Sequence, residues 1–528
     1  MLDCVKQGTE RAGTPLVGSG HSSKLIERWR RLCSDFLPFH EDGDLWRHSR
    51  GWLPTDPHQG WKIHVSATIL SACDVLEAVG AYLRKSGAAF KAVSSLDCLE
   101  RLNSGIFHGY SQVGKFITVY PPDVAMFRNI VEGLSGIIPP GAAAPAIPFD
   151  LRYLNTNIFY RYGSFISNGD DAPTLRKPDG EWAPDLRHIP CPGWTTPPFA
   201  DAAESFAKHT VSPLSTRYRV FASLSQRGKG GVYEAIDTGS VPLRLCVAKE
   251  GRRHGETVWD GRDGRTRIEN EANALRDLIA RAVDVPKVYD RFETGGNLYI
   301  VLEKLSGKTL QSAADDNQRL IPLADALYVC KQIASLLADI HAAGWVWRDC
   351  KPANLFLTDE NTVRPIDFEG ACRSDRLDAF VWSSPNFSAP EVFRPNYVPN
   401  PSFPFAADLY SLGATLYYVI EGEMIKTGGG CPGKDGDRAA NAGEYSPGGT
   451  PGGAATPPNP AKSDREGPQI KWSRRGVPGP IRSTISRLLN IDPAGRPSAA
   501  DVTAVVGSVE GHFSEKFLEA GVVAHVVE

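Results

Sequence analysis

Two sets of side chains in this 528-residue sequence are of types and spacings that can do chemistry on phosphate. In WVWRDCKPANLF, Asp349 is followed by Lys351 two residues on and by Asn354 five residues on. A carboxylate, an ammonium and an amide at those offsets can place a hydroxyl acceptor, a phosphate contact and a metal ligand around one transferring phosphoryl group. A second metal-binding carboxylate, Asp367, follows in PIDFEG. The other set is nearer the N-terminus: Lys62 and His64 in GWKIHVSA, Lys91 in AAFKAVSS, Lys115 in GKFITVYPP and Arg161 in NIFYRYGSF. Lys62 and His64 are two apart in a strand-like run and so share a face. Taken singly, each is an exposed cation or a satisfied histidine. Taken together they are cations set in apolar, strand-like sequence, where a charge is costly without an anionic partner. A dianionic phosphate ester is such a partner.

The elements that must hold these groups divide the chain. Residues 1–44 form an N-terminal extension in which Leu25, Trp29, Leu32 and Phe36 recur at helical spacing. Over 45–167, strand-like runs (WKIHVSA, KFITVYP) alternate with helix-like ones (LSACDVLEAVGAYLRKSG, VAMFRNIVEGLSG), the pattern of an α+β domain. Residues 168–212, rich in Pro, Asp and Gly, read as an irregular linker. A second domain spans 213–510, with a low-complexity insertion at 427–468 too poor in apolar residues to order itself, and 511–528 is a C-terminal tail.

Within the second domain, strand RVFASLS, the Gly-rich turn QRGKGGVYEAID and strand LRLCVAKE come first. Gly228, Gly230 and Gly231 would let backbone N–H groups approach phosphate oxygens, although on this feature alone a plain hairpin turn accounts for such glycines more often than not. Lys249 ends the next strand, and Glu271, in the helical run RIENEANALRDL, is placed to pair with it. The helix ALYVCKQIASLLADIHAAG then delivers the chain into the Asp349 segment.

Lys plus Arg number 58 against 61 for Asp plus Glu, a net charge of −3, so any basic site is local and neither nucleic acid nor a membrane surface is an expected partner. No apolar stretch approaches the length of a membrane span or signal h-region. The ten cysteines show neither CxxC nor zinc spacing. These features read as reduced thiols in a cytoplasmic protein.

Residues about 217 to 510 resemble a protein kinase catalytic domain, on VAKE, WRDCKPAN, DFEG, SAPE, ADLYSLG and GRPSA in family order. The resemblance implies a two-lobed fold and ATP-Mg²⁺-dependent transfer to a Ser or Thr hydroxyl. Asp349 would orient that hydroxyl, Lys351 would steady the γ-phosphate, and Asn354 and Asp367 would hold Mg²⁺. Lys249, held by Glu271, would grip the α- and β-phosphates under a lid made by Gly228, Gly230 and Gly231, and Arg496 would pair with Glu391. Ser225 and Arg227 stand at two lid glycine positions, Trp347 replaces the usual His, and Glu369 replaces the usual Gly.

GWKIHVSA, FK, LERLNSG, GKFITVYPP and YRYG resemble the phosphoserine/phosphothreonine lyase domain of class III and class IV lanthionine synthetases, and PDLRHIPCPGW is similar to the segment preceding their kinase domain. The implied reaction is β-elimination, with Lys91 as base, His64 as general acid, and Lys62, Lys115 and Arg161 neutralising the phosphate. The implied substrate is a ribosomal precursor peptide, dehydrated at Ser or Thr. Those families normally carry a third, cyclase domain that is not expected here, so that either a separate cyclase acts, or the dehydrated peptide is the product, or this is a degenerate relative with another role. Two other readings are a kinase whose first domain only binds phosphopeptide and a non-catalytic pseudokinase scaffold. Ser374, Ser383 and Ser384 in the activation segment carry no assigned role.

Overall fold

The structure, a computed structural model, describes residues 19–40, 44–139, 141–166, 173–199, 212–317, 321–378, 382, 384, 386–394, 397–425, 468 and 470–519. All of the insertion expected at 427–468 except residue 468 lies outside the described residues, as does the tail from 520. The chain divides into two units, residues 1–269 with 289–302 and residues 270–288 with 303–528.

The first unit opens with helix α1 (Ser19–Phe36), which buries Trp29 and Leu32 and packs Leu25 and Phe36 partly against the same core. That is the face expected from the helical spacing, and each large apolar side chain fully buried there contributes about 2 kcal/mol. An antiparallel sheet follows, in the order β1 (Trp46–His48), β3 (Ala89–Val93), β4 (Ile117–Tyr120), β2 (Gln59–Val65), β6 (Ile158–Ser164), β5 (Leu151–Arg152). Helices α2 (Ala72–Ser86) and α4 (Val124–Ile137) share a core with its Ile63, Val65, Phe90 and Ala92. Helix α3 (Leu96–Ser104) starts where Ser95 Oγ accepts the Cys98 N–H, and it stops at Gly105, whose φ of 72° suits a residue without Cβ.

The stretch expected as an irregular linker is in part folded onto this sheet. Strands β7 (Thr174–Arg176) and β8 (Trp182–Pro184) form a hairpin. The Gln59 amide bonds the backbone of Arg176 in both directions, at 2.8 and 2.6 Å, and Tyr162 N–H donates to the Pro190 carbonyl at 2.8 Å. Proline-rich sequence can thus be ordered without long strands, provided its backbone groups find side-chain and edge partners.

The same unit holds most of a second antiparallel sheet, in the order β12 (Val288–Thr294), β13 (Asn297–Glu303), β11 (Arg244–Gly251), β10 (Gly230–Asp237), β9 (Tyr218–Arg227). Helix α5 (Gly264–Ala280) carries Glu271 in the expected helical run.

The second unit is mainly helical. Helix α6 (Leu323–Ala342) buries Leu327, Cys330, Ala334 and Leu337, as its spacing anticipated. Against it pack α7 (Ala406–Glu421), buried almost along its whole length, and α9 (Ala499–Glu519), with α8 (Gly479–Leu488) beside both α7 and α9. The residues expected as a tail from 511 therefore remain helical as far as Glu519. No described helix is long and apolar enough to cross a membrane.

Candidate active sites

In the first sheet, Lys62 on β2 lies directly opposite Arg161 on β6. One pleat along, His64 on β2 faces Thr118 on β4, and Thr118 in turn faces Lys91 on β3. Directly opposed residues of neighbouring strands point the same way. Lys62, His64, Lys91 and Arg161 therefore share one face, opposite the face that packs against the helices. Lys115, just before β4, reaches the same place through Asp150, whose Oδ1 lies 3.7 Å from Lys115 Nζ.

The Asp150 side chain is fully buried and holds His64 Nδ1 at 2.5 Å. An imidazole fixed at Nδ1 by a carboxylate presents Nε2 to whatever occupies the site. Arg161 is held by Asp185 at 2.7 Å and by the Leu186 carbonyl at 3.1 Å, and Asp185 also accepts the Ser164 N–H at 3.1 Å.

This crowd of cations shifts its own titration. Burial, with Arg161, Lys91 and Lys115 close by, lowers the Lys62 ammonium to about 7 despite Asp185. Burial, then Arg187 and Lys115, lowers Lys91 to about 8, and Lys115 is also held below its ordinary range by burial. Burial pulls the His64 imidazole down to about 4 against the opposing pull of Asp150. Burial opposes ionisation of Asp150 itself, yet His64, Lys115 and Arg161 together keep it below the usual carboxylate range. Such a site has a lysine that can be neutral near physiological pH and a surplus of positive charge for an incoming dianion.

In the second unit the Asp349 segment is equally defined. Asp349 is 6% exposed, and Asn354 Nδ2 donates to its Oδ2 at 2.6 Å. Lys351 Nζ lies 3.0 Å from Asp349 Oδ1, and Ser384 Oγ bridges the two at 2.8 Å from the carboxylate and 2.7 Å from the ammonium. Buried Asp408 on α7 pins the segment from below, accepting the N–H groups of Trp347 and Arg348 at 2.7 and 2.6 Å and lying 3.0 Å from His341 Nε2. Trp347, where a His was expected, stacks on Phe368 with centroids 5.5 Å apart and donates its indole N–H to the Asp367 carbonyl at 2.9 Å. Arg496 and Glu391 form a two-pronged buried pair at 2.6 and 2.9 Å.

Carboxylate oxygens of Glu271, Asp367 and Glu369 lie within 4.8 Å of one another. This all-oxygen set suits a hard cation such as Mg²⁺. Glu271 also accepts the Phe368 N–H at 3.3 Å, while Lys249 is buried on β11 of the first unit.

The glycine turn departs from expectation. Arg227 and Gly230 pair directly, so the turn is a tight two-residue hairpin. The Gly228 N–H, expected over phosphates, instead donates to the Ser104 carbonyl at the end of α3, at 2.8 Å. A Cβ at Gly228 would sit 1.7 Å from the Asn103 carbonyl oxygen, and one at Gly230 would sit 1.7 Å from that of Glu250. These two glycines are required by close backbone packing, the hairpin alternative weighed above, and the Gly228 N–H is already engaged.

Sequence reasoning missed Asp150, Asp185 and Arg187, and left Ser384 unassigned. Asp150 stands in the apolar run AIPFDLRYL, and the rule that singled out the cations would have found this buried charge too. Asp185 and Arg187 lay in the stretch dismissed as linker.

Residues 39–211 match the family model "RamC, N-terminal domain", and residues 223–505 match the protein kinase domain model. The probable SapB synthase of Streptomyces coelicolor is 34% identical over 394 residues, covering 70% of this chain and 40% of that protein. Serine/threonine-protein kinase F of Synechocystis is 28% identical over 231 residues, covering 40% of this chain and 45% of its own length. Serine/threonine-protein kinase PknL of Mycobacterium tuberculosis is 28% identical over 216 residues, covering 41% of this chain and 52% of its own length. This chain thus spans about half or less of each of these relatives. It belongs to the protein kinase family and carries its kinase domain behind a RamC-type N-terminal domain.

Proposed function

We propose that this protein phosphorylates Ser or Thr hydroxyls of a precursor peptide and then eliminates the phosphate, leaving dehydroalanine or dehydrobutyrine. The likeness to a SapB synthase supports a peptide substrate. The observation that carries the reading is the shared face of Lys62, His64, Lys91 and Arg161, with Lys91 lowered to about 8. A domain that merely bound phosphopeptide would gain by keeping its lysines charged. Lys62, Lys91 and Lys115 are all lowered instead, which sacrifices affinity and leaves neutral amine available as a base.

In the first step Asp349 orients the attacking hydroxyl and Lys351 steadies the transferred group, with Ser384 holding both in place. Mg²⁺-ATP, when bound, supplies the γ-phosphoryl group. Asn354 and Asp367 offer ligands to the metal and Lys249 a cation to the phosphates. In the second step the neutral Lys91 amine takes the Cα proton of the phosphorylated residue. The electron pair forms the Cα=Cβ bond, and the Cβ–O bond breaks. Lys62, Lys115 and Arg161 take up the charge of the departing phosphate, and Nε2 of His64 hands it a proton. The dianion itself drives His64 toward the protonated form. The phosphorylation turns a poor leaving group into a good one, and the dehydrated peptide is an electrophile that a thiol can attack.

The test is intact-mass analysis of a Ser/Thr-containing peptide with ATP and Mg²⁺. Wild-type protein is expected to give peptide that has lost water, and Lys91→Ala to give peptide that has gained phosphate. Stable phosphopeptide from both proteins would leave a kinase with a binding domain.

A further inference from the structure

The aromatic ring beside the base lysine has no assigned role in the reaction above. Lys91 Nζ lies over the ring of Trp46, 4.2 Å from its centroid. On β1, His48 is directly opposite Lys91 and Trp46 is opposite Val93, so Trp46 stands one pleat along on the face that carries Lys91. Among the described residues no carboxylate comes within ion-pair distance of Lys91. The charged and titratable groups that bear on it are Arg187, Lys115, Lys62 and His48. Each of these is, or becomes on protonation, a cation.

We propose that Trp46 stabilises the positive charge that develops on Lys91 as the lysine takes the Cα proton. This rests on the lyase reading above. As the Cα–H bond breaks and the new N–H bond forms, Lys91 passes from neutral amine to ammonium while the Cα–H electron pair becomes the Cα=Cβ bond. The Cβ–O bond breaks with its electrons on phosphate, which receives the His64 proton. Lys91 thus gains its charge close to Arg187 and Lys115, with the negative π face of the Trp46 indole directly against its Nζ. The ring acts on the transition state more than on the resting enzyme, where a partly neutral lysine gains little from it. It contacts the base, so it should alter turnover more than substrate affinity.

Trp46→Leu and Trp46→Phe in the full chain test this. Leucine keeps apolar bulk beside Lys91 and removes the π face, while phenylalanine keeps a weaker face. Lys91 is titrated by its pH-dependent acetylation, read by mass spectrometry, and elimination is followed on a phosphoserine peptide. In Trp46→Leu, Lys91 is expected to titrate at lower pH than in the wild type. The kcat for elimination, measured where Lys91 is neutral, should fall about fivefold with KM unchanged, and Trp46→Phe should lie between. A Lys91 titration that neither variant moves, or equal losses of kcat in both, overturns the role of the ring. Wild-type protein that leaves the phosphopeptide intact instead overturns the lyase reading, and the acetylation titration, which needs no turnover, still reports on the ring.

Discussion

The two sites handle charge in opposite ways. Around Asp349 each charged group is matched: Lys351 and Asn354 on Asp349, Asp378 on Arg348, Glu391 on Arg496. On the RamC-type sheet, Lys62, Lys91, Lys115 and Arg161 have Asp150 and Asp185 as their carboxylate neighbours among the described residues, and burial together with the neighbouring cations lowers the lysines. Phosphoryl transfer is largely a matter of positioning, and matched charges hold positions. Elimination needs a neutral base together with a sink for two negative charges, and an unbalanced cluster supplies both. Around Asp349 the charges are already balanced, and on the sheet an incoming anion would balance them.

The largest effects should come from removing the central group of each site. Lys91→Ala should slow elimination at least about a thousandfold and leave phosphorylation intact, whereas Asp349→Asn should do the reverse on a pre-phosphorylated peptide. Loss of both activities in either variant, followed by mass spectrometry, would break the separation. Asp150→Asn should cost elimination about 10- to 100-fold, because His64 loses the partner that fixes its tautomer. If elimination kinetics of that variant match the wild type, Asp150 only fills space. Ser384→Ala, which removes one hydroxyl from an already braced Asp349, should slow phosphorylation by only about tenfold, read as initial rates with ATP, and should spare elimination altogether.

The smallest effect tests the imbalance itself. Lys62 and Lys91 have folded values near 7 and 8, below their unfolded value of 10.5. The unfolded chain therefore binds more protons between those limits, and on this account stability rises with pH there. Inorganic phosphate binds the protonated cluster, so it should raise Tm by a few degrees at pH 7 and by less at pH 9. A phosphate shift in Tm that is the same at both pH values would mean that these lysines do not titrate in that range.

How much of this was legible in the sequence follows from how each site is built. The Asp349 site comes mostly from one short segment, and three of its groups fall within six residues, so spacing alone exposed it. The other site is assembled across four strands. Its cations were found because a charge in an apolar run is anomalous, but His64 and Asp150 are 86 residues apart and no local pattern joins them. Asp185 was hidden by proline-rich composition, which signals a linker even where side chains such as Gln59 tie the backbone down. The glycines of the turn misled for a different reason. Glycine is needed wherever backbone approaches closely, and sequence does not say whether phosphate or the Asn103–Ser104 carbonyls will do the approaching.

The measurement closest to the central claim needs neither nucleotide nor metal. Purified protein is incubated with a phosphoserine peptide in excess EDTA, beside the Lys91→Ala variant, and the peptide mass is followed. The account predicts loss of phosphoric acid with the wild type and an unchanged phosphopeptide with the variant. An unchanged phosphopeptide with both, across several peptide sequences, would contradict it.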